Sequence, residues 1–396
     1  MHLIYLDNAA TTPVDSRVLL AMKPYFSSKF GNASEYHRLG MEAREAIESA
    51  RNSVAVFLGA VSPEEIIFTG SATESINLSH KGLIEALQIK SNRSKPHIVT
   101  SSIEHKAVLE TCSHLESLGM AEVTYLPVDS FGRISLESIK NAITSKTALV
   151  SIMYVNNEVG TIEPIQKIGD LIKRINKTRA EKPVYFHTDA TQAIQYLPCD
   201  VESLGVDLLS VTGHKVYAPK GVGILYKRKE LQLVRQMDGG VQESGLRSST
   251  ENVPYIVGIG IAISMIEKRK EKSKNNIEIL SDILIKGILK IPGVILTGHP
   301  RERVAHIASF IVDGAEGEAL ILSLSNLGVM ASSGSACTAS DLAPSHVLTA
   351  MGISPENSHG SIRFSLGKDT TKKEIDFVLN HLPKIIRRLR RMAPKF

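Results

Sequence analysis

A disulfide framework has almost no raw material in this chain. Its 396 residues include only Cys112, Cys199 and Cys337, an odd, widely spaced set without any metal-ligand spacing. Such sparse thiols fit a reducing compartment, and a cytoplasmic location is the expectation. Long apolar runs are missing too. The longest, Tyr255 to Ile266, stops well short of the roughly 20 residues a membrane span requires and predicts a buried helix instead. The opening Met-His-Leu-Ile-Tyr-Leu-Asp-Asn reaches a carboxylate too early for a secretory leader. Charge of one sign is scarce as well, since 46 Lys and Arg face 41 Asp and Glu for a formal +5. That balance gives no argument for direct nucleic-acid binding, although it permits docking of an acidic protein. Internal repeats and low-complexity stretches are absent.

What remains is an ordinary globular composition, 43% hydrophobic and 22% charged, long enough for about two domains. Short apolar strands alternate with amphipathic helices: Glu65 to Thr69, His97 to Ser101, Val123 to Leu126, Leu149 to Val155, Val184 to Phe186 and Leu208 to Val211, with helices between. This alternation predicts a mostly parallel sheet covered on both faces. The charged run Glu267 to Lys274 predicts a solvated helix leaving the large domain. Beyond it, a helix Ile279 to Leu289, strands Val294 to Leu296, His306 to Ile311 and Ser361 to Leu366, and a helix Gly317 to Leu327 suggest a smaller α/β unit.

Chemistry concentrates between Val184 and Gly223. One strand ends in His187, Asp189 and Gln192, and the next delivers Thr212, His214 and Lys215 before Pro219-Lys220-Gly221 turns the chain. Ligands of open α/β sheets sit beyond the carboxyl ends of the strands, so these clusters should share one crevice. Each alone reads as a strand cap or turn former. Together they suit pyridoxal 5'-phosphate, which needs a lysine for its aldehyde, a carboxylate for its pyridine nitrogen and donors for its phosphate. Lys215 is the candidate attachment point, Asp189 the ring partner, and Thr212 and His214 reach the phosphate. Gly70-Ser71-Ala72-Thr73 opens a helix, and that helix start adds a phosphate cradle at Ala72 and Thr73.

His105 follows another strand end, where an imidazole can stack on the ring and move protons. Asn156 and Gln192 offer amides to the ring oxygen or the substrate. Arg363 alternates with Ile362 and Phe364, so a strand would turn its guanidinium away from them, ready to clamp a carboxylate. Cys337 lies in Ser332-Ser-Gly-Ser-Ala-Cys-Thr-Ala-Ser340, too small and polar to anchor a core, which suits a travelling thiolate. The basic, amphipathic Ile385 to Arg391 reads first as a solvated helix face, with docking of an acidic acceptor as the alternative.

The motifs Tyr5-Leu-Asp-Asn-Ala-Ala-Thr-Thr-Pro13, Ala72-Thr-Glu-Ser75, Glu104-His-Lys-Ala-Val108, Val155-Asn-Asn-Glu-Val-Gly160, His187-Thr-Asp-Ala190, Gly213-His-Lys215 and Ser332-Ser-Gly-Ser-Ala-Cys-Thr338 closely resemble cysteine desulfurases. The resemblance spans nearly the whole chain. It implies the class V aminotransferase fold (fold type I of pyridoxal-phosphate transferases), with a large domain over 17–262. A small domain of 1–16 and 263–396 would carry the cysteine loop. The loop looks like that of the subgroup serving iron–sulfur cluster assembly and tRNA thiolation.

By this resemblance Lys215, Cys337 and His105 would be catalytic. Ala72, Thr73, His105, Asn156, Asp189, Gln192, Thr212, His214 and Lys215 would hold the cofactor, with Thr250 reaching over from the other subunit of a homodimer. Asn156 and Arg363 would bind the carboxylate of L-cysteine. The partner would be an iron–sulfur scaffold or another sulfur acceptor. No resident metal is expected, although Cys337 could ligate a cluster in transit. Two positions depart from the family: Ser249 stands where Arg-Ser-Gly-Thr usually carries glycine, and Ser244 where an arginine is common. A selenocysteine lyase or an aminotransferase shares the fold, and a sulfur-binding scaffold would be colourless.

Overall fold

The computed structural model describes residues 3–91, 95–179, 182–333 and 344–392. Its strands are β1 (Ile4–Tyr5), β2 (Ile66–Thr69), β3 (His97–Ser101), β4 (Glu122–Leu126), β5 (Thr147–Ser151), β6 (Tyr185–Asp189), β7 (Leu208–Thr212), β8 (Gly223–Lys227), β9 (Val294–Leu296), β10 (Ile307–Val312), β11 (Val329–Met330) and β12 (Ser361–Ser365). The helices are α1 (Ser16–Met22), α2 (Arg38–Leu58), α3 (Ala72–Ser91), α4 (Lys106–Ser117), α5 (Leu136–Ala142), α6 (Ile165–Asn176), α7 (Val201–Leu204), α8 (Val253–Ile288), α9 (Gly317–Ser325), α10 (His346–Ala350), α11 (Pro355–Ser358) and α12 (Lys372–Met392).

Seven strands form the central sheet in the order β2-β8-β7-β6-β5-β3-β4. All its pairings are parallel except those of β8, which runs against both β2 and β7. The apolar runs are explained by burial on both faces, as parallel sheets require. Ile66, Phe68, Val99, Val150 and Phe186 face one core, shared with α2 and the first part of α8. Ile67, Ile98, Leu149, Leu208 and Leu225 face another, shared with α3 and α4.

A third core gathers around the antiparallel β12-β10-β9 sheet and the small parallel β1-β11 pair. Ile4 and Leu6 from the amino terminus join it, together with Ile277 to Ile288 of α8 and Ile375 to Ile386 of α12. The expectation of two separate helices across 255–289 is therefore corrected. One 36-residue helix, α8, runs through the charged stretch and roots in two cores. The strand expected to continue to Val155 also ends earlier, at Ser151, and the chain then descends irregularly toward the crevice.

Candidate active site

The carboxyl ends of β3, β6 and β7, the descent after β5 and the start of α3 enclose a cleft of about 360 Å³. Gly223 at the first position of β8 is what lets α3 close on the sheet, because a Cβ there would stand 2.5 Å from the Ser71 carbonyl carbon. Gly221, at φ +82°, makes the turn that returns the chain into β8. Lys215 ends a short 3-10 turn directly after β7. Its Nζ donates to the Ala9 carbonyl at 2.6 Å and to the Ala10 carbonyl. These two carbonyls belong to the Leu-Asp-Asn-Ala-Ala motif, so the amino-terminal segment aims the amine into the cleft.

Asp189 closes β6, nearly buried, and one of its oxygens accepts the Thr191 N–H at 2.9 Å. Gln192 is buried beside it, donating to the Ala9 carbonyl at 2.9 Å. His306 Nε2 approaches Gln192 Oε1 at 3.4 Å, so the Gln192 side chain is held from both ends. His105 caps α4, its Nδ1 accepting the Ala107 N–H at 3.1 Å. That bond leaves the proton of a neutral ring on Nε2. Thr212 is buried, and its hydroxyl donates to Val222. Burial, with Lys215 and then Lys220 nearby, holds His214 down to about 4, so its ring is neutral near pH 7.

Arg363 points away from the core that takes Ile362 and Phe364, as strand alternation predicts. Its Nη1 donates to the Asn157 carbonyl at 2.7 Å and its Nη2 pairs with Asp7 at 3.1 Å. Its Nε is buried without a hydrogen-bond partner among the described residues. With Arg363 among the residues lining the cleft, a guanidinium stands where a carboxylate can bind. The start of α3 supplies a complementary feature, since Ala72 and Thr73 present the open end of a 20-residue helix to the same space.

Two expected residues, Asn156 and Thr250, stand apart from the cleft walls. Asn156 is fully buried and spent on its own turn, its Oδ1 accepting the N–H groups of Glu158 and Val159 and its Nδ2 donating to Ile103. The residue that reaches the cleft is its neighbour Asn157. Thr250 is exposed, on a segment moored beside α3 by the Arg247–Glu74 ion pair at 2.9 Å. Cys337 lies outside the described residues. His187 corrects a further expectation: it sits inside β6, bonded to Ser151 and Ser210 and edge-on to His80, far too enclosed to face a ligand. Sequence reasoning missed Asp7 and Asn157 as partners of Arg363. For Asp7, an acid two residues beyond a short apolar strand was the available signal.

The chain matches the aminotransferase class-V family over residues 4–378. It belongs to that family. Within it, the protein is 47% identical over 392 residues to the cysteine desulfurase IscS of Methanosarcina thermophila, covering 99% of this chain and 94% of the relative. A solved NifS-like protein superposes with a TM-score of 0.89 at 38% identity, covering 98% of this chain and all of the other. A structure described as SspA in complex with cysteine superposes with a TM-score of 0.80, also at 38% identity, over 93% of this chain and 100% of that one. This class-V chain thus stands among the cysteine desulfurases. Among its described residues, no helix is long and apolar enough to cross a membrane, and no group of His, Cys, Asp or Glu is placed to hold a metal.

Proposed function

We propose that this chain is a pyridoxal-phosphate-dependent cysteine desulfurase that carries sulfur on Cys337 for an iron–sulfur scaffold or a tRNA-thiolation acceptor. One observation carries the reading. A single cleft gathers a lysine amine, a buried carboxylate, an imidazole, a guanidinium and a helix start. This donor set fits the cofactor: Ala72, Thr73, Thr212 and His214 at its phosphate, Asp189 at its ring nitrogen, and His105 against the ring with Gln192 at its edge. Thr250 of the partner subunit in a homodimer would add a phosphate donor. When bound, the cofactor supplies an electron sink that labilises the bonds around the substrate's α-carbon.

The residues of the chain then divide the remaining work. Arg363, already oriented by Asp7 and the Asn157 carbonyl, holds the L-cysteine carboxylate. Lys215, once freed from the cofactor, takes the α-proton. The Cys337 thiolate attacks the substrate sulfur, so the carbon–sulfur bond breaks as a sulfur–sulfur bond forms. A proton delivered to the former Cβ completes L-alanine, leaving a persulfide on Cys337. The relatives named cysteine desulfurase and the solved neighbour described with cysteine support this substrate.

Incubation of the purified protein with L-cysteine and a reductant should release equal amounts of L-alanine and sulfide. Cys337→Ser should keep the visible cofactor absorbance and lose alanine release. Undiminished turnover in that variant would refute the persulfide step.

A further inference from the structure

Glu104 is a fully buried acid that the chemistry above does not use, although it stands directly before His105 of the cleft wall. It lies in the corner that joins β3 to α4. Its Oε1 accepts the Ser101 hydroxyl at 2.6 Å, and both of its oxygens meet the Met153 N–H at 3.0 Å. Met153 lines the cleft as well, on the descent that follows β5. One side chain therefore ties two walls together, from the exit of β3 to the exit of β5. Two further contacts hold the same corner. Asn156 Nδ2 donates to the Ile103 carbonyl at 3.0 Å, and His346 Nε2 approaches the Glu104 carbonyl at 2.9 Å. Those two grip backbone oxygens of the corner, whereas the Glu104 side chain supplies the acceptor for an N–H of the opposite wall.

Burial raises this carboxyl to about 8, with the bonds from Ser101 and Met153 opposing the rise and Asp189 and Glu163 adding to it, so the neutral acid prevails near pH 7. A glutamine has the same shape and the same acceptor. Removing the side chain instead leaves the Met153 N–H and the Ser101 hydroxyl unsatisfied in a dry interior, a cost that the corner escapes by shifting. His105 must shift with it, because its backbone is next in the chain and its ring is fixed to the start of α4 through the Ala107 N–H. We propose that Glu104 is a positioning residue whose side chain, by holding the Met153 N–H, fixes the separation of the walls bearing His105 and Met153 and so sets the contact of the imidazole with the cofactor ring. This rests on the cofactor reading.

The test uses the full chain and the variants Glu104→Ala, Glu104→Gln, Ser101→Ala, His105→Ala, and Glu104→Ala combined with His105→Ala. On the cofactor-loaded protein, the visible band, the dissociation constant for pyridoxal 5'-phosphate and alanine release against cysteine concentration are measured. On the cofactor-free chain, the rate at which diethyl pyrocarbonate modifies His105 is followed by peptide mass spectrometry. Glu104→Ala should shift the band, raise the dissociation constant about fivefold and lower kcat about tenfold, as a displaced cleft group does. His105 should react at least about threefold faster in that variant, because its corner opens more readily. Glu104→Gln, which keeps the acceptor, should stay within about twofold of wild type on every measure. Ser101→Ala loosens the same carboxyl and should move each measure in the direction of Glu104→Ala. In the His105→Ala background, removing Glu104 should change the dissociation constant by less than about twofold, since the two act through one contact.

A wild-type band, dissociation constant and kcat in Glu104→Ala would overturn the proposal even if its urea midpoint fell, because the acid would then serve stability alone. Ser101→Ala decides the same point should Glu104→Ala not fold. An equal rise in the dissociation constant with and without the His105 side chain would also overturn it, by placing the effect elsewhere in the cleft. So would a Glu104→Gln variant as impaired as Glu104→Ala, since charge rather than the bond to Met153 would then matter. A wild type with neither a visible band nor alanine release would instead defeat the cofactor reading, and the His105 modification rates would still decide the positioning.

Discussion

Ser249 occupies φ +102°, where a side chain crowds its own backbone, and its N–H donates to Gln242 at 3.2 Å. Such a conformation costs on the order of 1–3 kcal/mol, more than the entropy a glycine would add to the unfolded chain. Ser249→Gly should therefore stabilise the protein by about 1 kcal/mol, seen as a higher urea midpoint at unchanged slope. A lower midpoint would contradict the strain. The neighbouring Thr250 is the proposed inter-subunit phosphate contact, so the same variant tests whether that loop prefers the glycine expected there from the family resemblance. Placement at the cleft was legible where a side chain ends a strand, as at Asp189 and Lys215. It misled where a turn consumes the side chain. Asn156 looks like a ligand-facing amide, but no local pattern reveals that Glu158, Val159 and Ile103 use it up.

At the level of elements, helix ends show how tightly remote segments are fitted. Gly59 caps α2 at φ +65°, and a Cβ there would stand 2.0 Å from Asp200 Oδ2. Asp200 in turn caps α7 through the Ser203 N–H at 2.8 Å. Gly59→Ala should thus disturb two helix ends at once and cost about 2 kcal/mol, measurable as a lowered urea midpoint. The elements themselves were largely readable. His97–Ser101 and Val294–Leu296 are strands with the limits the apolar runs suggest. Failures arose where period and composition conflict. The charged stretch reads as a helix leaving the large domain with a new helix from Ile279, yet α8 continues unbroken through both. Two-residue pieces such as β11 carry too little pattern to be seen, being fixed only by their pairing with β1.

Across the molecule, two sets of buried groups oppose one another with pH. Burial holds His80 and His214 down to about 4 and His306 to about 3. Their folded pKa values lie below the usual 6.5, so the stability they contribute is present above 6.5 and is lost as pH falls through about 4. Burial pushes Glu104 and Glu163 up to about 8 and Glu158 to about 7. Their contribution is present below 4.5 and is lost as pH rises through 7 to 8, each tenfold difference in proton affinity between folded and unfolded chain being worth about 1.4 kcal/mol. The windows overlap between 4.5 and 6.5, where the opposing slopes offset, so the thermal midpoint should show a broad maximum across that range. Glu163→Gln should flatten the alkaline side and leave the acid side unchanged, and a peak above pH 8 in the wild type would contradict this assignment.

Helix α8 matters to the whole molecule in another way. A rod of roughly 54 Å, at 1.5 Å for each of its 36 residues, is embedded at either end in a different hydrophobic mass. A continuous helix shared by both masses is a common strut, so the register of Arg363 in one against the cleft of the other depends on that strut staying unbroken.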